Sequence, residues 1–265
     1  MLRKAVYAGT WYPESKSEIS KFLNAKVKPV KALACVCPHA GWVYSGKVAG
    51  LVYSSIEPAD LYIMIGPNHT GAGPRVSVFP EGEWETPLGN LEVDAKFAAG
   101  ITKHFPGAVL DTKAHASEHS LEVQMPFIKL SNSGAKIVPI CLGDYSPDTC
   151  RMLAVAITKT MKEAKKTVKT LLVASSDMSH YVTADEARIK DDKALKQILN
   201  LDGPGLLETV EGSDISMCGS GPVATTILSA IELGAKKATL VSYTNSGYVS
   251  GDFDKVVGYA GVVIS

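Results

Sequence analysis

The sequence predicts an α/β fold, a layered sheet with flanking helices, in one domain that spans residues 1–265. Short apolar runs alternate with helical patterns along the chain, which is typical of this fold class. No Gly/Ser/Pro-rich linker and no internal repeat divides the sequence. The composition is 46% hydrophobic and 20% charged, which excludes a disordered or fibrous protein. A chain of this length can bury about 75% of its unfolded surface.

Seven short apolar runs predict the strands of the sheet. Several of them are continuously apolar, as expected of strands that are covered on both faces. The region Glu83–Asp94 contains Trp84 and Pro87 and predicts a hairpin or excursion rather than a helix. The predicted strands are Ala32–Val36, Leu61–Ile65, Arg75–Phe79, Lys136–Leu142, Val168–Ala174, Ala238–Ser242 and Val256–Ile264.

Start and stop signals predict four of the helices. Capping boxes at Ser15–Glu18 and Thr183–Glu186 each precede a helical pattern, and the second pattern ends near Asn200. Pro147 suits a first helical turn and is followed by an apolar stripe at helical spacing. The segment Pro222–Gly234 predicts an amphipathic helix that ends at its glycine.

Charge and motif content argue against several classes of partner. The 27 basic and 27 acidic residues give a formal net charge of zero, whereas proteins that bind nucleic acids or membrane surfaces need a positive field. The longest basic run, Lys162–Lys169, is interpreted as a solvated helix end. No run approaches the ~20 apolar residues that cross a bilayer. The loop Gly66–Gly73 lacks the phosphate-loop and Rossmann spacings, so nucleotide binding is not supported.

The cysteines and the N-terminus predict a cytoplasmic protein. Met1–Tyr7 lacks the apolar core of a secretory signal. The odd number of cysteines without a disulfide-framework spacing indicates a reducing compartment. Those cysteines are Cys35, Cys37, Cys141, Cys150 and Cys218.

Three of the six histidines follow predicted strands. His39, His69 and His180 each lie in the loop that leaves such a strand. In open α/β sheets, the loops at the carboxyl ends of strands form the ligand crevice. Chance placement would scatter the three imidazoles, so we expect them to reach one side of the sheet and to form a site.

Cys218 is the remaining reactive group in this set. It lies just before the helix predicted from Pro222, where backbone N–H groups and the helix dipole favour a thiolate. Such a thiolate could ligate a metal or act as a nucleophile. The alternative is a small packed residue in a glycine-rich turn.

The segment Glu118–Glu122 forms a second candidate cluster. On a helix, Glu118, His119 and Glu122 can share one face, because Glu122 is three residues after His119 and four after Glu118. This spacing fits a metal or pocket role, and the alternative is an ordinary buried hydrogen-bonded pair. His104 and His115 lie in polar stretches that predict exposed side chains, and no role is assigned to them.

These motifs together resemble the Memo family. They occur in the family's order from residue 8 to residue 218, so the resemblance covers essentially the whole chain. It implies a fold similar to that of the class III extradiol dioxygenases, the non-haem iron enzymes that open catechol rings. The matching segments are Ala8–Pro13, Pro38–Gly46, Gly66–His69, Glu118–Glu122, Ser175–Tyr181 and Cys218-Gly219.

The resemblance also implies roles for individual residues. In the extradiol enzymes two histidines and a glutamate bind Fe(II), and a further histidine acts as acid and base. Carried onto this chain, the metal-binding histidines are His39 and His69, and the acid/base histidine is His180. Cys218 takes the position of the carboxylate ligand. The family is also linked with a radical-SAM partner protein, and some members with cell-motility signalling.

A thiolate ligand changes the expected metal chemistry. Thiolate is softer than carboxylate and shifts preference towards Cu(I), zinc or thiolate-ligated iron. We expect iron or copper, with zinc as a further candidate. Asp177 is expected to orient a histidine or the metal shell through a hydrogen bond. The candidates for lining the pocket are Tyr44, Asn68, His119 and Glu122.

The predicted function is metal-dependent redox chemistry on a small substrate, and two alternatives stay open. One is a metal-free hydrolase with Cys218 as nucleophile, His180 as base and Asp177 as the residue that orients the base. The other is a catalytically silent module that binds a peptide or a small anionic ligand in the same pocket.

Overall fold

The computed structural model describes residues 1–23, 26–164 and 168–265. Lys165 and Lys166 of the predicted basic run lie outside the described residues. At its two ends, Lys162 and Lys169 are described and form surface ion pairs with Glu232 and Glu57. In the described part of the chain, no helix is long and apolar enough to cross a membrane.

The described residues form one mixed sheet with helices on both faces. The strands are β1 (Leu2–Arg3), β2 (Ala34–Cys37), β3 (Leu61–Pro67), β4 (Val76–Val78), β5 (Glu83–Trp84), β6 (Leu91–Val93), β7 (Val109–Leu110), β8 (Lys136–Leu142), β9 (Thr170–Ser175), β10 (His180–Val182), β11 (Ala238–Asn245) and β12 (Val256–Ile264). The helices are α1 (Lys16–Ser20), α2 (Trp42–Ser55), α3 (Ala95–His104), α4 (His119–Glu122), α5 (Met125–Ser131), α6 (Pro147–Glu163), α7 (Ala184–Leu199), α8 (Gly203–Gly212), α9 (Ser220–Glu232) and α10 (Gly247–Ser250).

The centre of the sheet is parallel, in the order β8-β3-β9-β2. On one side β6, β5 and β1 continue the sheet, and on the other β12 joins β2 in antiparallel orientation and is flanked by β10 and β11. Cys37 at the end of β2 lies in register with Ser175 at the end of β9, and β3 ends nearby at Pro67. The loops that carry His39 and His69 therefore leave the same edge of the sheet as the loop from β9, which ends at His180. His180 itself is the first residue of β10, so its predicted place in a loop is corrected.

Alternating side chains of the central strands divide the core into two layers. In β3, Ile63 and Ile65 pack on the face covered by α3, α6 and α9, whereas Tyr62 and Met64 pack on the face covered by α2 and α5. All seven residues of β3 are buried, which explains its continuously apolar sequence. The α/β class with flanking helices is confirmed.

The predicted helix signals are confirmed in the structure. The Ser15 hydroxyl accepts from the Glu18 amide, and the Thr183 hydroxyl accepts from the Glu186 amide. Helix α6 begins at Pro147 behind a Ser146 cap. The hairpin predicted within Glu83–Asp94 is formed by β5 and β6.

Two details differ from the prediction. Helix α9 begins at Ser220, two residues before Pro222, because a proline is compatible with any position in the first turn. His115, predicted to be exposed, is fully buried between the Ser77 hydroxyl and the Cys141 thiol, so that prediction is wrong. His104 is likewise mostly buried, with its side chain 15% exposed beside Glu163.

Candidate metal centre

A hydrogen-bond network fixes which nitrogen of His39 carries a proton. Its Nδ1 lies 3.0 Å from the Ser175 hydroxyl, which donates its own proton to the Ser120 carbonyl at 2.6 Å. The hydroxyl also accepts from the Gln124 amide. Because the serine proton is already committed, Nδ1 of His39 is the donor, and Nε2 keeps its lone pair. That lone pair faces the Cys218 sulfur at 3.2 Å.

A buried carboxylate likewise keeps the proton of His69 on Nδ1. Its Nδ1 donates to Oε1 of Glu118 at 2.9 Å, and its backbone N–H donates to Oε2 at 2.6 Å. The Ser120 amide donates to Oε1 as well. Burial raises the pKa of Glu118, but the hydrogen bonds that its carboxylate accepts from His69 and from the Ser120 amide outweigh burial and lower the pKa to about 2. A carboxylate that holds Nδ1–H of a histidine is a frequent second layer around metal sites.

Cys218 supplies the third donor, from the turn before α9. The Tyr145 hydroxyl donates to its carbonyl oxygen at 2.7 Å and fixes the turn. Burial, followed by the negative charge of Asp177, raises the pKa of the Cys218 thiol. The expectation that the helix N-terminus favours a thiolate is therefore corrected for the metal-free protein, because burial and the charge of Asp177 disfavour the thiolate. A bound cation would reverse this balance, since metals deprotonate the thiols that coordinate them.

The donor atoms of His39, His69 and Cys218 lie within 4.8 Å of one another. A tetrahedral ion with Zn–N and Zn–S bonds of about 2.1 and 2.3 Å holds those ligand atoms about 3.6 Å apart. The observed 3.2 Å between His39 Nε2 and Cys218 Sγ is close to this separation. Burial and the neighbouring His69 lower the pKa of His39 to about 3, so this imidazole is neutral and its lone pair is available near pH 7. The donor set thus fits a transition metal.

His119 is a further imidazole beside the three donors. Its ring stacks on His69 with centroids 4.4 Å apart and lies 5.4 Å from the His39 ring. The His119 ring also contacts Trp11, with ring centroids 4.4 Å apart. Burial and the neighbouring His39 lower the pKa of His119 to about 4. With Glu118 and His69, it forms a second group of potential ligand atoms within 4.8 Å.

One ring nitrogen of His180 is held in place by a hydrogen bond. Its Nδ1 donates to the Ser216 carbonyl at 2.7 Å, and its backbone N–H donates to the Ser216 hydroxyl. The proton is therefore on Nδ1, and Nε2 is the basic atom. His180 lines the cavity that His39, His69 and Cys218 also line, and its acid/base role stays a prediction.

Asp177 contacts the first metal-ligand candidate rather than His180. Its Oδ1 accepts from the backbone N–H groups of His39 and Ala40, at 2.7 and 3.3 Å. Burial raises its pKa. The described residues show no Asp177–His180 hydrogen bond, and Cys218 contacts His39 instead of His180. The trio of the metal-free hydrolase is therefore not assembled.

A cavity of about 1560 Å³ opens above the donors. Its aromatic lining includes Trp11, Trp42, Tyr44, Tyr181 and Tyr259. Tyr181 is 75% exposed and has a positive φ of 58°, which is rare for a non-glycine residue and favours a functional reason for its position. Tyr44 and His119 line the cavity as predicted.

Two predicted pocket residues lie elsewhere, which corrects their assignment. Asn68 stabilises its own loop, since its amide donates to the Ala72 carbonyl and its oxygen accepts from the Gly71 amide. Glu122 is fully buried and forms an ion pair with Arg3. Spacing on a helix places Glu122 near His119, but α4 is a single turn and its residues face different neighbours.

Comparison with known proteins identifies the family. The model of the family described as Memo-like protein matches residues 3–263. A MEMO1 family protein of Methanosarcina acetivorans is 40% identical over 271 residues, which cover 99% of both chains. One from Pyrobaculum arsenaticum is 39% identical over 278 residues, covering 99% of this chain and 98% of the relative. The chain therefore belongs to the Memo family.

One solved structure shows a similar fold. It is described as the crystal structure of uncharacterized protein JW3007 from Escherichia coli K12. The match has a TM-score of 0.57 at 14% sequence identity and covers 89% of this chain and 100% of that chain. At this identity the likeness concerns the fold alone.

Proposed function

We propose that this protein binds one redox-active transition metal through His39, His69 and Cys218 and uses it on a small substrate. The observation that carries the proposal is the convergence of one ring nitrogen from each of the two histidines and the Cys218 sulfur within 4.8 Å. Both histidines hold their proton on the other nitrogen, against Ser175 and Glu118. The lone pairs are therefore ready for a metal without any change of tautomer.

The donor chemistry favours iron or copper, and zinc also fits it. Sulfur is a soft ligand and imidazole suits all three metals, so two nitrogens and one sulfur select against magnesium and calcium. Bound iron or copper would supply one-electron chemistry at the floor of the cavity. Three protein ligands leave coordination positions open towards the cavity.

The other residues of the cavity would bind substrate and move protons. His180 carries its proton on Nδ1, and its Nε2 would accept a proton from a bound substrate. The aromatic walls at Trp11, Trp42 and Tyr44 would exclude water and pack against apolar substrate groups. At about 1560 Å³ the cavity exceeds the roughly 300–1,000 Å³ of common small-molecule pockets, so a peptide segment would fit as well.

Metal analysis of protein purified without chelator tests the proposal. We expect about one equivalent of iron or copper in the wild type and almost none in His39→Ala and Cys218→Ser. His104→Ala and Cys150→Ser are matched controls, since they remove the same residue types in α3 and α6. Both controls should retain the metal. Equal metal contents in all five proteins would contradict the proposal.

Oxygen consumption then tests the redox part. Protein reconstituted anaerobically with Fe(II) or Cu(I) is exposed to oxygen with and without a panel of catechols. Uptake that disappears in His39→Ala and Cys218→Ser supports redox chemistry at this centre. Tight metal binding with no uptake under any condition would limit the function to binding.

A further inference from the structure

We propose that Arg3 and Glu122 are positioning residues for the metal centre. Their buried ion pair fastens the N-terminal strand to the segment that carries Glu118 and His119, and through Glu118 it sets the orientation of His69. This inference rests on the proposed metal-binding function.

Arg3 contacts the segment His115–Glu122 at three residues. Its Nε donates to the His115 carbonyl and its Nη2 to the Glu118 carbonyl, each at 3.0 Å. Its Nη1 forms the ion pair with Glu122 and also donates to the Lys4 carbonyl. The Arg3 side chain is 4% exposed. Only a guanidinium presents donors in a rigid fork that reaches these acceptors at once.

Glu122 connects the same segment to two further residues of the N-terminus. Its Oε1 accepts from the Tyr7 amide and from the Tyr12 hydroxyl, both at 2.8 Å. Between these two residues lies Trp11, whose ring contacts His119 at 4.4 Å. The ion pair thus holds one wall of the cavity against the histidines at its floor.

Glu118 transmits this constraint to the metal ligand. Arg3 holds its carbonyl, while its carboxylate binds both Nδ1 and the backbone N–H of His69. A shift of the backbone at Glu118 would therefore move or rotate the His69 ring.

Stability alone is a weak reason to retain such a pair. Burying two charges has a desolvation cost that often equals their attraction, and apolar replacements of similar volume are frequently as stable. A guanidinium with four acceptors, one at Lys4 and three in the segment His115–Glu122, instead specifies one geometry. Residues outside the first layer of a metal site change metal affinity by about 10- to 100-fold when they are substituted.

The test compares Arg3→Lys with the wild type in two measurements. In the metal-free protein, long-range ¹⁵N–¹H NMR of the imidazoles reports which nitrogen of His69 carries the proton. We expect Nδ1 in the wild type and a mixture of tautomers in Arg3→Lys. In the second measurement, Co²⁺ is titrated and its sulfur-to-cobalt absorption band is followed. Arg3→Lys should weaken Co²⁺ binding by about 10-fold or more and shift the band.

A core substitution controls for a general loss of stability. Ile157 belongs to α6 and packs on the sheet face that α3, α6 and α9 cover. Ile157→Val should leave both the tautomer of His69 and the Co²⁺ affinity unchanged. If Arg3→Lys does not fold, Tyr12→Phe replaces it, because this change removes one donor from Glu122 and keeps the ion pair. A smaller shift in the same direction is expected for Tyr12→Phe.

The outcomes separate this inference from the proposed function. A lowered melting temperature with the Nδ1 tautomer and Co²⁺ affinity of the wild type would make the pair merely structural and overturn the inference. A wild type that binds no Co²⁺ would contradict the proposed function. The imidazole spectra of the metal-free proteins would still decide the inference in that case.

Discussion

Two buried histidines of this chain, His39 and His115, have the same kinds of neighbour. Each lies 3.0 Å from a serine hydroxyl, and each contacts a cysteine sulfur, at 3.2 Å for His39 and 3.3 Å for His115. Burial lowers the pKa of both to about 3. The serine and cysteine are Ser175 and Cys218 for His39, and Ser77 and Cys141 for His115.

The surroundings of the two clusters differ. His39 lines a large cavity, and the ring centroid of a second histidine, His69, lies 5.2 Å from that of His39. His115 is enclosed by the rings of Phe79 and Trp84, at 5.3 and 5.8 Å, and its cysteine partner lies inside a central strand. A histidine and a cysteine in contact therefore do not define a metal site. Convergence with a third donor and access from a cavity distinguish the first cluster.

Removing the two cysteines should produce the largest contrast. Cys218→Ala deletes a proposed ligand, and we expect metal affinity to fall by more than about 100-fold. Cys141→Ala should keep full metal stoichiometry but lower the free energy of unfolding by about 1–3 kcal/mol, since it leaves a gap in the core. Calorimetric metal titrations and urea unfolding of both variants measure this. A comparable loss of metal in both variants would remove the distinction between the clusters.

Substituting the two serines should give a smaller contrast of the same kind. Ser175→Ala removes the acceptor that keeps the proton of His39 on Nδ1, so metal affinity should fall about 10-fold. Ser77→Ala should leave affinity within about twofold and cost about 1 kcal/mol of stability. The same titrations decide the matter. Unchanged affinity in Ser175→Ala would show that the hydroxyl does not set the tautomer.

Because both histidines have a lowered pKa, the pH dependence of stability should distinguish the two clusters least. The pKa of His115 is about 3 in the folded protein, below the ordinary value of about 6.5, so the unfolded chain binds more protons between these values. The stability that neutral His115 contributes to the folded protein is therefore fully present above about pH 6.5 and is lost as pH falls towards 3. One such group changes the unfolding free energy by up to about 1.4 kcal/mol per pH unit.

His115→Gln in the metal-free protein checks this dependence. We expect a shallower slope of unfolding free energy between about pH 6 and pH 4 than in the wild type. Cys141→Ala, which removes a neighbour but keeps the titrating ring, should retain the steep slope. Parallel slopes in His115→Gln and the wild type would mean that His115 is already protonated when folded.

The sequence predicts the frame of the site well because local signals determine it. Apolar runs place the strand ends, and the histidines that follow them must lie at one edge of a parallel sheet. The burial of His115 was mispredicted because its polar sequence neighbours carry no information on what packs over them. The raised pKa of Cys218 was missed for a similar reason, since burial depends on the tertiary structure.

The supporting residues around the donors are less accessible to sequence reasoning. Arg3 and Glu122 are 119 residues apart, and a lone arginine near a chain start gives no pattern. Ser175 is the last residue of β9. The role of its hydroxyl depends on Ser120 and Gln124, which lie in a distant segment of the chain. Trp11 belongs to the matching segment Ala8–Pro13, which was the available signal for its place in the cavity wall.

X-ray absorption of the zinc-loaded protein tests the central claim most directly. If His39, His69 and Cys218 bind one ion, the spectrum contains one sulfur at about 2.3 Å and imidazole nitrogens at about 2.0–2.1 Å. In Cys218→Ala the sulfur contribution should disappear, while Cys141→Ala keeps it. A first shell of nitrogen and oxygen alone in the wild type would contradict the account.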